Sequence, residues 1–209
     1  IDGGVSLTES PAATVATKTP SPGKEFVLLY SGSYHKYCGI HRLVSYFKNI
    51  NDPRLRLYLT GKCSNQVLLD LFESDARIRF YGFVDEDRLS ELQSEANAFL
   101  NFYLPDESPT PGKFPSKILE YLSFGKPVLS TDTPGIAPEY KAVTYLFDAY
   151  DSTLFTSALH KVRNLEDDGL TALRNRIFDF LRSGKTWSAQ GQRFKDFVDE
   201  TAAGSTGRK

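Results

Sequence analysis

The chain has 209 residues and a net charge of −1, with 25 Lys and Arg against 26 Asp and Glu. This length is enough for one large domain with a sizeable core, and the scattered, balanced charges argue against a nucleic-acid or polyanion binder. No apolar run reaches the ~18–20 residues of a membrane span, and no signal peptide is visible.

Two residue types are informative because they are scarce. Cys38 and Cys63 each follow a predicted strand and lack paired or metal-ligand spacing, which predicts free thiols in a reducing compartment. The chain contains no methionine, not even an initiator. We therefore expect it to be a piece of a longer protein.

The order of predicted elements indicates an α/β fold. Residues 1–24 are rich in small residues and Pro, which predicts a linker or extended arm. From Phe26 onward, apolar strands alternate with amphipathic helices, the pattern of a doubly wound parallel sheet in three α/β/α layers. The predicted strands are Phe26–Ser31, Leu55–Thr60, Ile78–Tyr81, Ala98–Tyr103, Val128–Thr131 and Thr144–Phe147. The predicted helices are Ile40–Asn49, Gln66–Glu73, Glu86–Glu95, Ser116–Phe124, Ser152–Arg163, Gly169–Ser183 and Ser188–Ala202.

Glycine-containing turns follow the first three predicted strands, at residues 32–39, 61–62 and 82–84. These turns matter because doubly wound sheets bind ligands at the carboxyl ends of their strands. Ser33, Lys36 and Lys62 could reach a phosphate there, and the ring of Phe83 could meet a base. The alternatives are that the glycines only make room for packing and that Phe83 belongs to the core.

The segment 114–131 carries the most functional information. It predicts a polar turn, a short amphipathic helix, a stop at Gly125 and a buried strand. A helix N-terminus near Ser116 can meet an anion, Lys117 adds positive charge, and Glu120 on the same face can hold a diol. The combination suits a nucleotide diphosphate. The alternative is an ordinary helix-to-strand unit with a surface Lys and Glu.

Together these segments resemble the C-terminal, donor-binding half of a GT-B glycosyltransferase, most closely family 4 of the retaining, nucleotide-sugar-dependent enzymes. The order and spacing of the matching segments carry the resemblance more than any one of them does. The matching segments are 1–5 after the interdomain crossing, 32–39 at the first glycine loop, 79–84 at the base-binding turn, 114–128 at the signature helix and strand, 132–139 at the next loop, and 186–188 before the final helix.

The resemblance implies a Rossmann-like donor domain at 25–184, preceded by the linker 1–24 and followed by a crossing helix at 185–203 and a flexible tail at 204–209. It further implies a nucleotide-sugar donor, more often UDP-linked, and no cofactor or metal. A missing N-terminal acceptor domain would leave this chain inactive alone. The implied donor-binding residues are Gly32, Ser33, Lys36, Lys62, Gly82, Phe83, Val84, Ser116, Lys117, Ile118 and Glu120, and no catalytic residue is assigned.

The family also suggests a cellular setting. A lipid-linked acceptor at the inner face of a membrane, as in bacterial surface polysaccharide assembly, would place the protein in the cytoplasm, and no nucleic-acid partner is expected. His35, His41 and His160 are isolated in the sequence, so surface or core roles are expected for them rather than catalysis.

Two departures from the family pattern bear on activity. Ser33 and Cys38 stand where relatives often carry a basic pair, so Lys36 and Lys62 would have to supply the phosphate charge. Gly112 stands where an E-x7-E pattern expects a second carboxylate, which leaves Glu120 alone. That loss concerns contacts to the sugar more than contacts to the nucleotide.

The departures support an alternative, a non-catalytic nucleotide-binding or protein-interaction module that keeps the fold. A dinucleotide-dependent dehydrogenase fits less well. It expects G-x-G-x-x-G after the first strand and an acidic residue closing the second. Here Tyr34 replaces the second glycine, and Leu59 and Thr60 end the strand.

Overall fold

The computed structural model of the protein describes residues 3–6, 24–110 and 112–205, without the side chains of 202–205. Within these ranges, six strands form one parallel sheet in the order β3-β2-β1-β4-β5-β6. The strands are β1 (Phe26–Ser31), β2 (Leu55–Thr60), β3 (Ile78–Phe80), β4 (Ala98–Asn101), β5 (Val128–Thr131) and β6 (Tyr145–Phe147). This order is that of a Rossmann-like fold, which confirms the predicted fold class.

The position of β1 follows from its composition. All six of its residues are buried, as expected for a near-continuous apolar run at the centre of a parallel sheet. It pairs with β2 on one side, where Phe26 lies opposite Leu55, and with β4 on the other, where Leu28 lies opposite Ala98. The chain order therefore reverses direction between β1 and β4.

Helices cover both faces of the sheet and enclose two apolar cores. One core joins α1, α2 and α5 to the sheet, and the other joins α3, α4 and α6. The helices in the described ranges are α1 (Ile40–Lys48), α2 (Gln66–Glu73), α3 (Glu86–Glu95), α4 (Lys117–Leu122), α5 (Ser152–Arg163), α6 (Asp167–Gly184) and α7 (Trp187–Ser205).

Several element boundaries differ from the sequence-based prediction by one to three residues, and two of these differences have a visible physical reason. β4 ends at Asn101 rather than Tyr103, since the Tyr103 amide donates to the Thr131 hydroxyl at 3.1 Å and thereby leaves the ladder. α6 begins at Asp167 rather than Gly169, because acidic residues are favourable in the first turn of a helix.

The N-terminal segment meets the start of α7. Val5 forms an isolated parallel bridge with Thr186: its amide donates to the Lys185 carbonyl at 2.9 Å, and its carbonyl accepts from the Trp187 amide at 3.3 Å. Most of the predicted linker, residues 7–23, and the end of the predicted tail, residues 206–209, lie outside the described residues. None of the helices described is long and apolar enough to cross a bilayer.

Candidate functional site

A cleft of about 580 Å³ lies at the carboxyl ends of β1, β2 and β3. The turns after these strands form its walls, and Lys117 of α4 approaches from the other side of the point where strand order reverses. This crevice is where open α/β sheets bind their ligands. Six of the predicted site residues line the cleft: Gly32, Ser33, Lys62, Phe83, Val84 and Lys117.

Main-chain hydrogen bonds hold the three turns side by side. The Gly32 amide donates to the Thr60 carbonyl at 3.1 Å, and the Gly61 amide donates to the Gly82 carbonyl at 2.8 Å. Gly61 has a φ of 134°, and a Cβ there would lie 1.9 Å from the Gly32 carbonyl oxygen. The turns after β1 and β2 can therefore approach this closely only because residue 61 has no side chain.

An aromatic ring and a cation project together from the second and third turns. Phe83 is 73% exposed, so the interpretation that it packs in the core is wrong. The Lys62 ammonium lies 4.8 Å from the centroid of the Phe83 ring, a cation–π distance. The pair places a flat apolar surface and a positive charge on one wall of the cleft.

Lys117 and Glu120 share a face of α4, as predicted, and form an ion pair. The Lys117 Nζ lies 2.6 Å from Glu120 Oε2, and the Gln93 side-chain amide donates to Glu120 Oε1 at 3.1 Å. Both members of the ion pair are more than one third exposed, so either can exchange its partner for a ligand. A carboxylate has about four acceptor positions, which leaves capacity for a diol.

A buried tyrosine fixes α4 against β1. The Tyr121 hydroxyl accepts from the Ser31 amide at 2.9 Å and donates to the Ser31 carbonyl at 3.0 Å. Burial raises the pKa of Tyr121 well above its ordinary value, so the hydroxyl stays protonated and keeps its donor role. These two hydrogen bonds hold α4, which carries Lys117, against the end of β1 at the cleft.

Other predicted site residues lie elsewhere. Ser116 and Glu120 line a neighbouring cleft of about 370 Å³, next to residues 3–6 and Trp187. Ser116 is the residue before the first turn of α4, and its side chain does not cap that helix. The two clefts adjoin at α4, since Lys117 lines one and Glu120 the other.

The remaining three predicted residues do not line either cleft. Lys36 is on a short 3₁₀ turn, where its Nζ lies 3.4 Å from a Glu107 carboxylate oxygen. Gly82 contributes its carbonyl to the bond with Gly61. The Ile118 side chain is fully buried in the core, and its amide donates to the Pro115 carbonyl at 3.0 Å.

Sequence reasoning missed two residues that support the site. Gln93 is buried on α3 and bonds Glu120. Lys126, only 4% exposed, donates to the carbonyls of Gln93, Ser94 and Ala96 at 2.9, 2.7 and 2.7 Å. Its ammonium thus satisfies carbonyls at the C-terminus of α3, where the helix offers no further amides. In the sequence, Lys126 lies between Gly125, which ends a predicted helix, and Pro127. Neither neighbour indicates that its side chain is buried.

Histidine, cysteine and carboxylate side chains often act in catalysis or bind metal ions. No group of three His, Cys, Asp or Glu side chains in the described ranges lies close enough together to hold a metal ion. Cys38 and Cys63 are both free thiols. His35 lines the main cleft and stacks on Tyr37 at 5.4 Å between ring centroids.

Residues 25–164, more than half of the chain, match the family of glycosyl transferases group 1. The chain belongs to this family. The match confirms the resemblance drawn from the sequence. It includes the strands that form the main cleft and the whole of α4. No curated protein sequence matches this group 1 glycosyltransferase chain.

Solved structures share the fold at low sequence identity. The lipopolysaccharide outer core galactosyltransferase WaaB, in its apo form, is 19% identical with a TM-score of 0.63, over 86% of this chain and 51% of that one. Sucrose-phosphate synthase (tll1590) from Thermosynechococcus elongatus is 18% identical with a TM-score of 0.67, over 97% and 52%. Anabaena Alr3699/HepE in complex with UDP-glucose is 15% identical with a TM-score of 0.67, over 84% and 49%.

These likenesses show the fold alone. The three proteins are GT-B glycosyltransferases, and this group 1 chain spans about half the length of each of them. The fold described above is therefore one half of a GT-B architecture, as the sequence predicts.

Proposed function

We propose that this chain is the donor-binding half of a glycosyltransferase and that its main cleft holds a nucleoside diphosphate sugar. The observation that carries the proposal is the gathering of Lys62, Lys117 and the exposed ring of Phe83 around one cleft at the carboxyl edge of the sheet. Two cations suit a diphosphate, and the ring suits a base. The cleft volume of about 580 Å³ lies within the roughly 300–1,000 Å³ usual for such ligands.

Each part of the donor has a counterpart in this proposal. Lys117, with Ser116 before it, faces the diphosphate, and Lys62 lies on the opposite wall. The turn 82–84 contacts the base. We propose uracil as the base, because members of the family more often use UDP-linked donors. Glu120 accepts hydrogen bonds from the ribose hydroxyls, and Gln93 keeps one of its oxygens in place.

The chemistry proposed is transfer of the sugar to an acceptor hydroxyl, with retention at the anomeric carbon. The bond from the sugar to the diphosphate breaks, and negative charge grows on the leaving diphosphate. Fixed cations stabilise that charge without needing a base in this half. The acceptor and the catalytic group would belong to an N-terminal domain, so this half alone would be inactive. A lipid-linked acceptor in surface polysaccharide assembly is part of the same proposal.

The first test is nucleotide binding without a metal. UDP should bind the domain with the same affinity in EDTA as in Mg²⁺, because Lys62 and Lys117 supply the positive charge. Isothermal titration of UDP, with GDP and ADP as comparisons, measures this. A strict Mg²⁺ requirement would contradict the metal-free site, and no binding of any nucleotide would contradict the proposed function.

Glu120→Gln should weaken UDP binding by about 5- to 150-fold, since charge-assisted bonds to ribose become neutral ones, a loss on the order of 1–3 kcal/mol. The substitution also frees Lys117 for the diphosphate, but an exposed ion pair is worth only about 0–1 kcal/mol, so the loss dominates. Glu73→Gln on the exposed face of α2 is the control. Equal affinities for the two variants would remove Glu120 from the site.

Gly112 favours a second candidate, a nucleotide-binding module without catalytic activity. A Cβ at this position would meet nothing within 4 Å, so space does not explain the missing carboxylate. Both candidates bind UDP in the main cleft. A transfer assay with UDP-sugars and the longer protein separates them, because only the enzyme consumes the donor.

A further inference from the structure

A third cavity opens beside β6, an edge strand of the sheet that the described residues form. It has a volume of about 350 Å³. Residues 141–146 form one wall, and residues of α5 and α6 form the others. We call this cavity the β6 groove. It is separated by β4 and β5 from the strands whose turns form the main cleft.

The β6 groove lies between two helical layers, in a position that suits one more strand. α5 packs through Phe155 into the core on one face of the sheet, and α6 packs through Ile177 into the core on the other. Both helices line the groove, so the outer layers extend past the last strand while the middle layer stops at β6. The groove therefore lies where a seventh strand would lie, next to the last strand of the sheet that the described residues form.

The main chain of β6 offers hydrogen-bonding groups to this position. The Phe147 carbonyl accepts from the Asp132 amide at 2.8 Å, so the main-chain groups of Phe147 face β5. Because these groups alternate in direction along a strand, the amide and carbonyl of Leu146 face the groove. These are the groups that an added strand pairs with.

The charge around the groove selects its occupant. Lys141, Lys161 and Arg176 line it, and no acidic side chain does so among the described residues. Cations beside an edge deter pairing with neutral or basic strands, so they admit an acidic one preferentially. Leu154, 47% exposed on the rim, adds an apolar contact. An occupant with acidic and apolar residues in alternation matches this surface.

We propose that the β6 groove binds an extended acidic segment of a partner polypeptide, which adds to β6 as a seventh strand. The proposal is independent of the function proposed for the main cleft. It predicts that binding depends on both charge and main-chain pairing, and the two requirements can be separated experimentally.

The test uses a fluorescein-labelled ten-residue peptide of alternating Glu and Val, followed by fluorescence anisotropy. The peptide should bind the wild-type chain, and Lys161→Glu should weaken binding by about 10-fold, through the loss of one attraction and the gain of one repulsion. Lys195→Glu, exposed on α7 and outside the groove, is the matched control for net charge and should bind as the wild type does. Circular dichroism verifies that both variants are folded.

Two further probes test the strand itself. The same peptide with prolines replacing two central valines keeps its charge but loses amide donors, so it should bind at least several-fold more weakly. Hydrogen exchange at the Leu146 amide should slow when the first peptide is bound. The proposal is overturned if no peptide binds, if Lys161→Glu and Lys195→Glu behave alike, or if the proline peptide binds equally well. In the last case, displacement by inorganic pyrophosphate would identify a simple anion site.

Discussion

Lys126→Met should lower the free energy of unfolding by about 1–3 kcal/mol, the cost of leaving hydrogen-bonding groups without their partner in the folded protein. Methionine keeps the length and apolar contacts of the side chain but leaves the carbonyls of Gln93, Ser94 and Ala96 without this donor. Urea denaturation measures the change. Lys195→Met, at an exposed position on α7, is the control and should fall within about 0.5 kcal/mol of the wild type.

The difference in unfolding free energy between the wild type and Lys126→Met should depend on pH in a defined direction. Burial lowers the pKa of Lys126 to about 8, from 10.5 for a free side chain. Between these values the unfolded chain holds the proton more tightly than the folded chain, so this group makes the wild type more stable as pH rises from 8 towards 10.5. The deficit of Lys126→Met should widen over that interval. A deficit that shrinks there would show that the folded protein favours the charged amine.

Gly61→Ala should destabilise the protein by about 2–4 kcal/mol and should also weaken nucleotide binding. The added Cβ would lie 1.9 Å from the Gly32 carbonyl oxygen, at a φ of 134° that L-residues rarely adopt. The turns after β1 and β2 must move apart, and these turns are two walls of the main cleft. Urea denaturation and UDP titration measure the two effects.

Gly82→Ala is the matched control for backbone strain without a steric clash. Gly82 also has a positive φ, of 68°, but a Cβ there would meet nothing within 4 Å. Gly82→Ala should therefore lower the free energy of unfolding only by the cost of placing an L-residue in the left-handed conformation, about 1–2 kcal/mol. If Gly61→Ala costs no more than Gly82→Ala, the contact between the first two turns is not what holds the cleft together.

The fold was predictable because its signals are local and repeated. Apolar runs such as Phe26–Ser31 alternate with amphipathic helices at regular intervals, and this order alone identifies a parallel sheet with two covered faces. Boundaries were less predictable where a side chain replaces a main-chain partner. The Thr131 hydroxyl ends β4 early in this way, and nothing in residues 98–103 indicates it.

The candidate site was predictable only in part, for a related reason. Lys117 and Glu120 share a helical face through their spacing, so their proximity follows from the sequence. Gln93 and Lys126 reach the site through contacts between residues some 30 positions apart, and no periodicity reports such contacts. Phe83 shows the limit most clearly, since an aromatic residue after a strand fits a core or a cleft equally well until its exposure is known.

The parallel bridge between Val5 and Thr186 gives the fold a particular mechanical character. Because the two paired segments run in the same direction, the chain before Val5 and the chain after Thr186 leave the bridge at opposite ends. Tension between these two connections loads both hydrogen bonds of the bridge in shear, so they must break together rather than one after the other. The bridge thus acts as a small clamp that keeps pulling forces on the ends of the fold away from the sheet and its cleft.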